Sequence, residues 1–249
     1  AWAGDPALMA SGIGKYGQEE LDALTGRRQI GADFDVDDDA FVLKGQTTKD
    51  DLPDQLKLLA TKLAAPGWDP NPVLRAKAGI LSGYAGLSAS PDAVLNRDLE
   101  RLLHNGDPRW GVPPEATIRE TTPESFRRFW EPLLATGPIE VEVFGDMDAE
   151  ATVKAVAATF GALKPRVASK APLAPVEFPA HVATPVTLFH KGQPNQAAAV
   201  IAWPTGGGTE NGGITESRKL EVLAAVFRDR LLDQLRSQAG VSYSPQVAS

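Results

Sequence analysis

Arg236 and Tyr243 stand seven residues apart near the end of this sequence, with Gly240 between them. A guanidinium fork and a phenol can each donate a hydrogen bond to a peptide carbonyl, and each can stabilise the charge that develops on that oxygen during hydrolysis. Both residues also have plain structural uses: an arginine in a last helical turn meets the carbonyl end of the helix dipole, and a tyrosine suits a strand. The surrounding chain decides between these readings.

The stretch ITESRKLEVLAAVFRDRLLDQLRSQAGVSYSP positions the pair. Leu220, Leu223, Ala224, Phe227 and Leu231 recur at helical spacing, and the unbroken apolar run Val222 to Phe227 widens that stripe, so the helix is expected to be mostly buried. Thr215 is the expected N-cap, Arg236 falls in the last turn, and Gly240 stops the helix because glycine takes the left-handed conformation cheaply. Val241 to Tyr243 then reads as extended chain, which returns the phenol beside the helix end.

The preceding chain alternates between short strands and helices. QIGADFD and AFVLKGQ fit two antiparallel strands joined across Asp37 to Asp39, and a short helix precedes them at about Gln18 to Leu24. The acidic triplet lacks the glycine and terminal glutamate of a calcium loop, so it reads as a solvated turn. Helix starts are marked by Thr48, by Asp69 with Pro70, by Ser90 with Pro91, and by Thr121 with Glu124 as a capping box. The expected inward faces are Leu52, Leu56, Leu59 and Leu63; Leu74, Ala78, Leu81 and Ala85; Leu95, Leu99, Leu102 and Leu103; and Phe126, Phe129, Trp130 and Leu133. His104 to Ala116 reads as a loop, IEVEVFG as a strand, and Asp146 to Phe160 as a helix packed through Val153, Val156 and Phe160. Residues 165–182 carry Pro165, Pro172, Pro175 and Pro179 and form a linker stiffened by proline. Beyond it TPVTLFH and QAAAVIAWP read as strands and PTGGGTENGG as a loop, so a second domain has begun. The fold class is therefore α+β, with residues 1–164 as a first layered domain and 183–249 as the beginning of a second.

The run RLLDQLRSQAGVSYSP resembles the signature in the C-terminal half of the M16 zinc metallopeptidases, the pitrilysin and insulinase group. TTKDDLPDQLKLLATKLAAPGWDP is similar to that family's first helix after a strand pair, and FGDMDAEATVKAVAATFGAL to the strand and helix that close each family domain. The resemblance implies the LuxS/MPP-like metallohydrolase fold: an antiparallel-rich sheet covered by helices, lacking its start here, followed by an incomplete second copy that stops at Ser249. It also implies that Arg236 and Tyr243 bind substrate held at a zinc site belonging to the other half.

The family's zinc site needs HxxEH on a helix, with two histidines on one face and a glutamate to activate water. None of His104, His181 and His190 has an acid or another histidine at that spacing. The helix Pro72 to Gly86, similar to the one that supplies a further glutamate ligand in catalytic domains, contains no acid. No catalytic residue and no metal ligand is therefore assigned to this chain. Zinc in the complete enzyme would sit in an HxxEH-bearing half or subunit, the substrate would be a peptide, and a homodimer is also compatible with the resemblance. Alone, the chain should be inactive. A scaffold or assembly subunit of the same fold, without a peptidase role, is the alternative.

Composition sets outer bounds. At 249 residues, with 43% hydrophobic and 23% charged residues, the chain is globular, and its net charge of −7 without a basic block argues against nucleic acid. No apolar run is long enough to span a bilayer, and zero cysteines exclude disulfides and thiolate metal sites. GGGTENGG lacks the lysine of a phosphate loop and reads as a surface loop. Family analogy points to the periplasm, with the cytoplasm as the alternative.

Overall fold

Glycine opens the first helix, α1 (Gly4–Met9), because an indole lies against it. A Cβ at Gly4 would stand 2.5 Å from Trp130 Cζ2, so the absent side chain lets the helix backbone touch the largest ring of the core. The computed structural model describes residues 2–37, 40–167, 175–180, 184–205, 213–240 and 245–249. It divides into two units, Ala1–Ala198 and Ala199–Ser249.

The first unit runs α1, α2 (Gln18–Thr25), β1 (Asp33–Val36), β2 (Phe41–Lys44), α3 (Leu52–Ala64), α4 (Pro70–Gly83), α5 (Pro91–Leu103), α6 (Glu115–Glu120), α7 (Pro123–Ala135) and α8 (Ala149–Ala158). β1 and β2 pair antiparallel, Asp33 opposite Lys44 and Val36 opposite Phe41. The Lys44 ammonium bridges Asp35 and lies 3.8 Å from Asp33, so opposite charges face each other on the solvent side of the ladder. The core joins Ala3, Ala7 and Leu8 of the chain start with Phe34 of β1, Val73 of α4, and Phe126, Trp130 and Leu134 of α7. The α7 residues are four apart and share one face. Trp130 meets Phe34 edge-on at 5.6 Å between ring centroids, a favoured aromatic geometry.

Several helix starts follow the sequence reading. Asp69 accepts from Asn71 N at 2.9 Å and Ser90 Oγ accepts from Ala93 N at 3.1 Å. Elsewhere the reading needs correction. α7 begins one residue later than expected: Thr122 and Ser125, not Thr121 and Glu124, exchange hydrogen bonds at 3.1 and 2.9 Å. Pro123 takes the first helical position, which leaves the extended Thr122 before it as the cap. Thr48 Oγ1 accepts from Asp51 N at 3.2 Å, yet α3 starts only at Leu52.

On α4 the inward residues are Pro72 and Val73, whereas Leu74 is 48% exposed. From the same helix the Lys77 ammonium donates to the carbonyls of Arg119 and Thr121 at the end of α6. α6 itself lies partly in the span read as loop and is anchored by the buried Ile118. Phe129 and Leu133 of α7 and Val153 of α8 are exposed rather than inward. The segments expected as strands at 139–145, 184–190 and 196–204 have no ladder partner among the described residues, which contain a two-stranded sheet. Extended backbone becomes a strand only when a neighbour takes its N–H and C=O groups.

The second unit holds α9 (Gly213–Leu231), which continues into a π-wound segment, Leu232–Gln238. α9 starts two residues before the expected Thr215 cap, and none of its residues is buried. Val222 and Leu223 are more than 60% exposed. The unit's other described residues outside the helix, chiefly 199–205 and 245–249, are too few to cover a helix that is apolar on more than one side.

Candidate functional site

Arg236 sits at the end of the longest helix, where three features of the chain determine its position. α9 brings the backbone in, the π-wound segment carries Arg236 itself in its last turn, and Gly240, at φ 65°, turns the chain out. That positive φ is the left-handed stop expected from the sequence. The Ala239 N–H donates to Gln234 C=O, five residues back, at 3.0 Å, and the Gln238 side-chain amide donates to Asp233 Oδ2 at 3.0 Å. Arg236 is exposed, so its guanidinium stands at the surface of the unit. Tyr243 lies outside the described residues, and the sevenfold spacing of the pair therefore stands on the sequence.

The described histidines, His104 and His190, belong to the first unit. His104 caps the end of α5: its Nδ1 lies 2.6 Å from Glu100 O, and its ring stacks on Trp110 at 3.7 Å and 7° between planes. His190 Nδ1 accepts from Gly192 N, and its Nε2 lies 3.0 Å from Gln196 O. His181 lies outside the described residues. Among the described residues no three histidine, aspartate or glutamate side chains are grouped as a metal ion requires. The donors among the described residues do not fit a catalytic zinc, and no chemical step is routed through one here.

An open groove of about 310 Å³, lined by Val141, Val143, Met147, Thr152, Val153 and Val156, brings no ionisable group with it. No helix among the described residues is long and apolar enough to cross a membrane.

Two features were not legible beforehand. The buried Lys62 ammonium, 5% exposed, donates to Met9 O and approaches Gln18 Oε1 at 3.3 Å. Burial pushes its pKa down to about 8, against a weaker opposing pull from Asp22. The bond between Asp233 and Gln238 was equally hidden, because residues five apart fall on different faces of an α-helix. No motif announces a π-wound turn.

A family model described as the peptidase M16 inactive domain matches residues 120–248. Among solved structures the chain is similar to the ferredoxin protease FusC, crystallised as a mutant with Arabidopsis ferredoxin, with a TM-score of 0.56 and 18% identity over 70% of this chain and 19% of that one. It is also similar to the periplasmic protease PqqL from Escherichia coli, with a TM-score of 0.51 and 14% identity over 94% of this chain and 27% of that one. A protease from Helicobacter pylori gives 0.50 and 13% over 70% and 43%. At such identities the likeness is one of fold. The chain spans from 19% to 43% of the length of these three proteins. No curated protein sequence matches it.

Proposed function

The chain belongs to the M16 peptidase family, and from that premise we propose that it is a noncatalytic segment of an M16-type zinc-dependent endopeptidase, helping to enclose and orient peptide substrate. The zinc is bound by an HxxEH-bearing half or subunit, and Arg236 and Tyr243 of this chain hold the peptide. The observation that carries this reading is Arg236, exposed at a helix end that a left-handed Gly240 closes; Arg236 precedes Gly240 by four residues and Tyr243 by seven.

The chemistry follows from the donors. The guanidinium offers two parallel N–H groups and the phenol one O–H, all suited to a peptide carbonyl. Hydrogen bonds that strengthen as charge grows on that oxygen stabilise the transition state more than the ground state, while equal binding of both only orients the peptide.

In this reading the first layered domain covers residues 1–164, a proline-rich linker 165–182, and the start of a second copy 183–249. The four prolines of the linker support that boundary. The compartment is the periplasm, supported by the fold likeness to a periplasmic protease.

The test is made in the complete enzyme. Arg236→Ala and Tyr243→Phe should each lower peptide hydrolysis by about 10²-fold, the typical effect of removing one transition-state donor, and leave bound zinc unchanged. Undiminished hydrolysis by both variants would assign the chain the scaffold role instead.

A further inference from the structure

The π-wound segment changes which side of the helix carries Arg236. In an α-helix, residues five apart are rotated by about 140°, so position 236 would lie nearest the line of Leu232. In a π-turn the backbone bonds residue i to residue i+5 and each residue advances less around the axis than in an α-helix. Arg236, inside the π-wound span, therefore leaves the helix in a direction different from the one α winding would give it. The Ala239 to Gln234 backbone bond and the Gln238 to Asp233 side-chain bond both span five residues, each at 3.0 Å. The second of these bonds depends on the π winding, since on an α-helix the short aspartate and the glutamine would point to different sides.

π-turns are rare and recur at functional sites. Asp233 and Gln238 bracket Arg236, three residues before it and two after. We infer that the Asp233–Gln238 bond is a clamp that holds the π-wound turn and so sets the direction in which Arg236 leaves the helix, making both residues positioning residues for substrate binding. This rests on the reading of Arg236 as a substrate-binding residue. Removing the clamp frees the turn to rewind as α, which swings the guanidinium around the helix axis without deleting it. A donor displaced by an ångström or more loses most of its catalytic value.

The experiment compares kcat and KM in the complete enzyme, on one fluorogenic peptide, for Asp233→Ala, Gln238→Ala, Asp233→Asn, Arg236→Ala and the double variant Asp233→Ala with Arg236→Ala. Asp233→Ala and Gln238→Ala should each lower kcat/KM by about tenfold or more, with thermal midpoint and zinc content unchanged. Asp233→Asn keeps an acceptor oxygen and should recover most of the loss. In the Arg236→Ala background, Asp233→Ala should cost nothing further. The clamp is overturned if Arg236→Ala is impaired while Asp233→Ala and Gln238→Ala are not, or if the Asp233→Ala loss adds in full to that of Arg236→Ala. Full activity of Arg236→Ala itself removes the substrate-binding reading, and the clamp's role with it.

Discussion

Lys62 and Met9 are joined across 53 residues, the ammonium of α3 donating to the last carbonyl-bearing residue of α1. The bond satisfies a helix-end carbonyl that has no partner within its own helix. It also buries a charge, and burial is the larger influence on the amine, whose pKa falls from 10.5 to about 8.

The direction of the resulting pH dependence follows from proton counting. Between pH 8 and 10.5 the unfolded chain holds the Lys62 proton and the folded chain has released it. Stability therefore rises with pH across that window, by up to about 3 kcal/mol, and the burden of the buried charge is fully present below it. Urea denaturation of the chain between pH 7 and 10.5 should show this rise, and Lys62→Met should flatten it. A wild-type stability that falls through the same window would contradict the assignment.

Trp130 ties α7 to α1 and β1. Trp130→Ala should destabilise the chain by about 3–5 kcal/mol, as large-to-small changes of buried aromatics do. Gly4→Ala drives a methyl into the same indole, 2.5 Å from Cζ2, and should cost about 1–3 kcal/mol through overpacking. Chemical denaturation midpoints measure both, and a neutral Gly4→Ala would show that α1 can move away from the ring.

Gly240→Ala places a Cβ at φ 65°. The strain should lower stability by about 1–2 kcal/mol. If the turn sets the path from Arg236 to Tyr243, peptide hydrolysis in the complete enzyme should fall as well, at constant zinc content. Full activity with the expected loss of stability would confine Gly240 to a structural role.

What could be read from the sequence is what depends on near neighbours. Asp69, Ser90 and Gly240 act within a few residues, and each does in the structure what its chemistry suggests. The antiparallel strand pair was legible from alternation, and in the structure it turns Phe34 inward while Asp33 and Asp35 meet Lys44. Errors arose where a distant partner decides. Val73, not Leu74, packs into the core that α1, β1 and α7 share with α4, and Thr121 lost the cap because Pro123 fixes the first helical position. The apolar run of α9 signals a helix that needs cover on more than one side, but not where that cover comes from. For the site, Arg236 was legible as a helix-end donor, whereas Asp233 and Gln238 were not, because their bond needs a π winding that apolar spacing does not encode.

If this chain completes an active site whose metal lies elsewhere, reconstitution reveals it: peptide hydrolysis is measured for the HxxEH-bearing half alone, for this chain alone, and for the two together at equal concentration. The expected result is no hydrolysis by this chain, little by the zinc half, and a rise of about 10²-fold or more when wild-type chain is added, lost when that chain carries both Arg236→Ala and Tyr243→Phe. A zinc half that is as active alone as in the mixture, or hydrolysis by this chain on its own, would contradict it.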